Sequence, residues 1–264
     1  MIGYQEKGYR KIYGKRAQAV ESFKGFMDNT EAKDARLLAR GRPSQVMSLG
    51  NYLPDVESAL AELQRSQVIS RIWDRDHTVW NPEHTEISNR LGWLTVTDTI
   101  AGQLADLEAL GRDIRDAGVQ HVVVLGMGGS SLGPEVLRQS FGSAPRYPEL
   151  IVLDSTDPDW VGSVADTINP AHTVFIVSSK AGATTEPNMF YAYFRNLVEK
   201  SVGPDRAGQH FIAVTDPGTT LEKMAKDQGF RRVFANPADI GGRYSVLSYF
   251  SLVPAALVGL DLVM

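Results

Sequence analysis

Two patterns of hydrophobic and polar positions meet near Leu94. Beyond it, short apolar runs rich in β-branched residues alternate with segments of helical spacing, a pattern typical of alternating strands and helices. Strands buried on both faces and separated by helices form a parallel sheet covered on each side. The predicted strands are His121–Leu125, Leu150–Leu153, Thr173–Val177, Phe211–Val214 and Arg232–Phe234, and the predicted helices are Asp98–Ala117, Pro134–Phe141, Pro158–Ile168, Glu186–Lys200 and Thr219–Gln228.

Before Leu94 the pattern is helical and irregular. Lys15–Phe26 and Glu31–Arg40 carry helix formers, and Asp55–Ile69 follows a proline and has apolar residues at helical spacing. The apolar end of the chain, 246–264, is predicted to be a core helix. We therefore predict an α/β fold, with a helical N-terminal segment (1–94) and a five-stranded parallel sheet flanked by helices (95–264).

Ligands of parallel sheets bind at the carboxyl ends of the strands, so the residues that follow each strand carry the functional information. After the first strand comes GMGGSSLGPEV at 126–136. Its glycines let the backbone approach an anion, and the next helix offers unpaired N–H groups. A tight turn explains one or two of the glycines. The full run, with two serines, favours a phosphate or polyhydroxyl site.

Two further strand ends carry candidate chemistry. SSKAGATTEPN at 178–188 places hydroxyls and a lysine before a helix, where Thr184 or Thr185 is also suited to a structural N-cap. GGRYSVLS at 241–248 places two glycines before Arg243, which suits an arginine that stabilises an oxyanion as well as one in a surface ion pair.

Composition excludes some chemistry in this chain. There are no cysteines, so disulfides, thiolate catalysis and cysteine-ligated metals are excluded. The first 45 residues hold ten Lys or Arg against five Asp or Glu, but these charges are dispersed, which favours a solvated helical face over a nucleic-acid or membrane surface. No apolar run approaches the ~20 residues of a membrane-spanning helix, and the N-terminus lacks a signal-peptide pattern. We predict a cytoplasmic protein.

Together the three motifs resemble glucose-6-phosphate isomerase, a family built on the sugar isomerase fold. They occur in the family's order, and the resemblance covers about Ile69 to Leu262. The stretches RIWDRDHTVW at 71–80 and NRLGWLTV at 89–96 look like the bacterial type found alone or fused behind transaldolase. The resemblance implies aldose–ketose isomerisation through a cis-enediol in glycolysis and gluconeogenesis. It also implies a homodimer, and no metal or organic cofactor.

The resemblance also implies roles for individual residues. Arg243 would stabilise the enediolate as the catalytic residue of this chain. The implied substrate and phosphate contacts are Gly128, Gly129, Ser130, Ser179, Lys180 and Thr184.

This sequence departs from the family in two ways. Most relatives carry Ser or Thr where Ala181 and Ala183 stand, which removes two hydroxyl donors to phosphate. The family takes its proton-transferring glutamate, ring-opening histidine and a further lysine from segments beyond the arginine motif, and the sequence ends at Met264. His121 and His172 lie at strand starts, the wrong end of the sheet. We therefore expect this chain to bind sugar phosphate and to catalyse little.

Two other functions remain open. One is a non-catalytic sugar-phosphate-binding module, which the absence of a base favours. The other is a nicotinamide-dependent oxidoreductase, which would use Gly126, Gly128 and Asp154; Ser131 stands where its glycine fingerprint requires a third glycine.

Overall fold

The computed structural model describes the backbone of residues 36–37 and 45–46 and all of residues 49–262. The chain divides into two compact units, Met1–Val79 and Trp80–Met264. The domain boundary expected after Leu94 stays a prediction. No helix in the described part of the chain combines the length and apolar character needed to cross a membrane.

The first unit holds short elements. Strands β1 (Arg36–Leu37) and β2 (Gln45–Val46) pair antiparallel, so the helix predicted over Glu31–Arg40 is wrong at that point. The helix predicted over Lys15–Phe26 lies outside the described residues. Two helices, α1 (Leu53–Arg65) and α2 (Val68–Trp73), replace the single helix predicted from Asp55 to Ile69. The chain breaks between them because Gln67 adopts a left-handed conformation, with φ of 49°.

The second unit is an α/β fold, as predicted. Its strands are β3 (His121–Gly126), β4 (Glu149–Leu153), β5 (Thr173–Ser178), β6 (Phe211–Thr215) and β7 (Arg232–Ala235). They form one parallel sheet in the order β4-β3-β5-β6-β7. Its helices are α3 (Val96–Ala101), α4 (Leu104–Asp116), α5 (Gly129–Phe141), α6 (Pro158–Thr167), α7 (Thr185–Val202), α8 (Pro204–Ala207), α9 (Thr220–Asp227) and α10 (Tyr249–Leu257).

Alternate residues of the central strands enter two separate cores. Val123, Leu125 and Phe175 pack with α6, α7 and α9, whereas Val122 and Val124 pack with α4 and α10. Burial of both faces explains why these strands are apolar runs without polar alternation. The loops that carry the candidate residues therefore begin at the ends of strands that are packed on both faces.

Two predicted helices differ from the structure in ways that matter for the site. The segment predicted as one helix from Asp98 forms two, α3 and α4. Helix α5 begins at Gly129, five residues before the predicted start at Pro134. The last segment forms a 3₁₀ helix over Gly242–Leu247 before α10, which is buried as expected of a core helix.

Candidate active site

A cavity of about 430 Å³ opens at the carboxyl edge of the sheet. The chain leaves β3 toward β4 on one side and leaves β5 toward β6 on the other, so the loops after β3 and β5 diverge at this point. Such a switch point is the usual position for a ligand in an open parallel sheet. The lining residues are Arg90, Met127, Gly129, Ser130, Lys180, Ala181, Thr184, Asp216 and Gly242.

The first and third motifs are joined directly. A Cβ atom on Gly129 would lie 2.3 Å from the carbonyl oxygen of Gly242, so only glycine allows this backbone approach. The Ser245 hydroxyl lies 3.0 Å from the Gly129 carbonyl and 2.7 Å from the Gly242 carbonyl. The start of α5 and the arginine loop therefore form one wall of the cavity.

The first and second motifs are joined through a proline. Pro134 lies inside α5 and has no N–H to donate to the carbonyl of Ser130, four residues earlier. The buried Ser178 hydroxyl at the end of β5 donates to that carbonyl over 3.3 Å. Pro134 thus leaves the Ser130 carbonyl free to accept from Ser178, and this hydrogen bond connects the end of β5 to the start of α5.

The loop after β5 is held by its own hydroxyl groups. Ser179 is buried, and its Oγ lies 2.9 Å from Thr184 Oγ1 and accepts from the Gly182 N–H at 3.1 Å. Gly182 has a φ of +69°, and a Cβ there would lie 2.6 Å from the Thr219 side chain. This combination folds the loop tightly and turns Ala181 and Thr184 toward the cavity.

The two helices that begin at the cavity lack side-chain caps. Gly128, which has no side chain, occupies the N-cap position of α5, and the side chain of Thr184 at the N-cap of α7 makes no capping hydrogen bond. Thr184 therefore does not act as the structural cap that its position suggested. The positive end of the helix dipole is suited to an anion at both sites. In α5, the Ser130 and Ser131 N–H groups already donate to the backbone carbonyls of Met127 and Gly128.

Lys180 is neutralised within the protein. Its Nζ donates to the Asp216 carboxylate and, at 2.8 Å, to the Ala238 carbonyl. Burial raises the pKa of Asp216, and the hydrogen bond and charge of Lys180 oppose this rise. These contacts tie the loops after β5, β6 and β7 together.

The structure brings four of the seven predicted site residues to the cavity wall: Gly129, Ser130, Lys180 and Thr184. The other three lie beside it. Gly128 precedes α5, and Ser179 shapes the loop from a buried position. Arg243 is exposed and follows the lining residue Gly242. Its neighbour Tyr244 stacks on Trp93, with ring centroids 5.3 Å apart. The roles of all seven residues stay predictions.

Sequence reasoning missed two charged lining residues. Asp216 directly follows strand β6, so the strand-end rule applied to the other motifs would have found it. Arg90 precedes the sheet by some 30 residues in the chain. It lies in the NRLGWLTV stretch that carries part of the resemblance, but nothing in that stretch indicates that Arg90 faces the cavity.

The remaining candidates lie away from the cavity. His121 begins β3 and His172 immediately precedes β5, which confirms that both lie at the amino edge of the sheet. Asp154 is exposed at the end of edge strand β4 and is not a lining residue. Among the described residues, no group of three or more His, Asp or Glu side chains is placed to hold a metal ion.

The chain is similar to the glucose-6-phosphate isomerase of Carboxydothermus hydrogenoformans, with 34% identity over 61% of this chain and 36% of the relative. It is 31% identical to that of Staphylococcus saprophyticus, over 66% of this chain and 41% of the relative. The chain thus spans about two fifths or less of the length of these curated relatives.

Solved structures agree with the fold. A hypothetical protein of Thermus thermophilus superposes with a TM-score of 0.65 and 28% identity, over 80% of this chain and 48% of that one. A glucose-6-phosphate isomerase of Chlamydia trachomatis superposes with a TM-score of 0.52 and 27% identity, over 73% of this chain and 34% of that one. The phosphoglucose isomerase family model matches residues 109–264, which contain all three motifs and eight of the nine lining residues. The chain therefore belongs to the phosphoglucose isomerase family.

Proposed function

We propose that this chain binds the sugar-phosphate substrate of a glucose-6-phosphate isomerase. That reaction interconverts glucose 6-phosphate and fructose 6-phosphate by moving a proton between C1 and C2 through a cis-enediol. The observation that carries the proposal is the meeting of two uncapped helix N-termini, α5 and α7, at one cavity lined by hydroxyl groups. This arrangement suits a ligand that is both anionic and hydroxylated.

The two ends of the substrate have different partners in this proposal. The phosphate binds to the loop before α7, through backbone N–H groups and the Thr184 hydroxyl. The sugar contacts Gly129 and Ser130 at the start of α5. Ser179 acts through its side chain, because its hydroxyl holds the loop by bonds to Thr184 and Gly182. Gly128 acts through its backbone.

Arg243 is proposed to stabilise the enediolate. Its guanidinium is exposed beside Gly242, which lines the cavity, and a charge-assisted hydrogen bond to an oxyanion is about twice as strong as a neutral one. An enediolate carries more negative charge than the sugar, so this contact would favour the transition state.

Proton transfer needs a base that the described cavity does not offer. Among its described lining residues there is no histidine or glutamate, and the one carboxylate, Asp216, is paired with Lys180. Stabilisation of the enediolate without a positioned base does not move the proton at a useful rate. We therefore expect the 264-residue chain to bind substrate with little turnover.

The test combines a binding and a turnover measurement on the same chain. Calorimetric titration is expected to show saturable binding of glucose 6-phosphate and none of glucose. A coupled assay for conversion of fructose 6-phosphate is expected to show little turnover. Turnover that is lost in Arg243→Ala would show that a base lies within these residues, and it would overturn our account of proton transfer. Absence of glucose 6-phosphate binding would overturn the proposed function itself.

A non-catalytic sugar-phosphate-binding module is the second candidate, favoured by the lack of a base in the described lining. An enzyme-derived site predicts that Arg243→Ala weakens binding of a planar enediolate analogue more than binding of glucose 6-phosphate. Equal effects on both ligands would favour the module. Nicotinamide binding has less support, because Asp154 lies outside the cavity; saturable NADH binding would restore it.

We also propose that the chain forms a homodimer and acts in the cytoplasm. The support for both is the family resemblance. Light scattering that shows a monodisperse monomer would count against the dimer.

A further inference from the structure

Arg90 reaches the cavity from a segment outside the three motifs. It ends a 3₁₀ turn, Ser88–Arg90, and the next residue, Leu91, forms an antiparallel bridge with Ile240. The Gly92 N–H then donates to the Asp239 carbonyl at 2.8 Å. These backbone contacts fasten the Arg90 segment to the start of the arginine loop.

The stem of Arg90 is positioned by a glycine. Its Cδ lies 3.3 Å from the position that a Cβ on Gly241 would occupy, so the methylene groups pack close to bare backbone. A side chain at this glycine would crowd the stem. The guanidinium is therefore supported at the rim of the cavity, with 29% of the side chain exposed.

The charged side chains that line the cavity do not sum to zero. Arg90, Lys180 and Asp216 are the charged residues of the described lining, and Lys180 is paired with Asp216. Arg90 pairs instead with Glu86, whose side chain is 69% exposed and does not line the cavity. Because Glu86 does not line the cavity, the described lining itself keeps one net positive charge, that of Arg90.

Part of the Arg90 guanidinium is available to a ligand. Nη2 donates to both carboxylate oxygens of Glu86, at 3.0 and 2.9 Å. Nη1 lies 3.5 Å from the Asn89 carbonyl, at the limit for a hydrogen bond. Arginine has five N–H donors, so Nε–H and the remaining N–H of Nη1 can still donate to anionic oxygens.

We propose that Arg90 is a substrate-binding residue that donates to the phosphate dianion of the sugar phosphate. This inference rests on the proposed function and adds a ligand to it. It accounts for the internal pairing of Lys180: the lysine of the phosphate loop holds three loops together, and a cation from another segment meets the ligand. Arg90 also weakly opposes the rise in the pKa of Asp216, as expected for a charge at the same cavity.

The test compares three variants by calorimetric titration with glucose 6-phosphate and with inorganic phosphate. Arg90→Met keeps the stem and removes the charge, and Arg90→Lys keeps the charge without the fork. Arg112→Met is the matched control, because Arg112 also pairs with a glutamate four residues earlier and is 51% exposed. We expect Arg90→Met to lower the affinity for both ligands at least about tenfold and Arg90→Lys to lower it less. Arg112→Met should leave both affinities unchanged. The affinity of Arg90→Met should also depend less on salt.

Each other outcome overturns the inference in an identifiable way. If the wild-type chain binds glucose 6-phosphate and Arg90→Met binds it equally well, Arg90 is not a ligand and the proposed function stands. If the glucose 6-phosphate affinity falls and the phosphate affinity does not, Arg90 contacts the sugar and the phosphate assignment is wrong. If the wild-type chain binds neither ligand, the proposed function fails and this inference fails with it. Loss of binding in Arg90→Lys as large as in Arg90→Met, with a lowered melting temperature in both, would indicate a structural role.

Discussion

Four helices directly follow strands of the sheet, and their N-termini fall into two kinds. Helices α6 and α9 are capped by side chains: Asp157 accepts from two first-turn N–H groups of α6, and Thr219 accepts from the Glu222 N–H of α9. Helices α5 and α7 have no such cap. The uncapped pair begins at the cavity, where Gly129, Ser130 and Thr184 are lining residues.

The difference separates helix ends built for stability from helix ends built for a ligand. A side-chain cap satisfies the first-turn N–H groups and stabilises the helix by about 1 kcal/mol. An uncapped end lacks that stabilisation. In α5 the Ser130 and Ser131 N–H groups donate to the Met127 and Gly128 carbonyls, so this end attracts an anion mainly through the positive end of its dipole. The contrast is sharpest between Thr219 and Thr184, which are the same residue at the same helical position. Thr184 Oγ1 contacts Ser179 Oγ instead of a first-turn N–H.

The largest expected effect comes from Gly129→Ala. The new methyl group would overlap the Gly242 carbonyl, so the first and third motifs would separate and sugar-phosphate binding should be lost. Gly162→Ala in the capped helix α6 is the control, because a Cβ there meets nothing within 4 Å. It should stabilise the chain by up to about 1 kcal/mol and leave binding intact. Calorimetric titration and thermal unfolding measure the two effects. Intact binding in Gly129→Ala would contradict the account of this junction.

Thr184→Ala and Thr219→Ala compare the two kinds of helix end with one chemical change. Thr219→Ala should lower the free energy of unfolding by about 1–2 kcal/mol and leave sugar-phosphate affinity unchanged. Thr184→Ala has no cap to lose, so its stability loss should stay below about 1 kcal/mol, while affinity should fall about tenfold. Denaturant unfolding and titration give both numbers. If Thr219→Ala lowered the affinity and Thr184→Ala lowered the stability instead, the side-chain caps would not distinguish the two kinds of helix end.

A smaller effect is expected from adding a hydroxyl to the uncapped side. Ala181 lines the cavity, whereas Ala183 is exposed and does not. Ala181→Ser should therefore tighten glucose 6-phosphate binding by about threefold, through one more donor to the phosphate. Ala183→Ser is the matched control and should change the affinity little. Equal tightening by both would mean that the phosphate lies further along the loop than we propose.

The smallest effect is a pH dependence. The pKa of Asp216 is raised by burial, so the folded state holds its proton at a pH where the unfolded chain has lost it. Stability from this group is then full at low pH and decreases as the pH rises from the ordinary aspartate pKa through the raised one. Asp216→Asn should remove this slope, so the wild-type chain should gain stability relative to the variant as the pH falls. Unfolding curves across the acidic range would show it; parallel curves would contradict it.

Features that depend on local patterns in the chain could be predicted from the sequence, whereas features that depend on contacts between distant segments could not. The strands are predictable because burial on both faces leaves apolar runs such as Val122–Leu125. The strand-end rule leads to the motifs that contain Ser130, Lys180 and Thr184, and the family resemblance singles out these residues within them. The start of α5 was placed five residues late because its glycines suggested a loop, whereas in the structure they allow α5 to begin against Gly242. Contacts between distant segments leave little sequence signal. Arg90 was missed for this reason, since its position depends on the bridge from Leu91 to Ile240.

The most direct test is the change in backbone amide chemical shifts when glucose 6-phosphate is added to the isotopically labelled chain. Our account predicts the largest changes in the first turns of α5 and α7, at Gly129, Ser130 and the 181–186 segment, and small changes at the capped starts of α6 and α9. Glucose at the same concentration should leave all of these amides unchanged. Changes that are as large at Asp159, Trp160 and Glu222, or absent from α5 and α7, would contradict the claim that the uncapped helix ends bind the phosphorylated sugar.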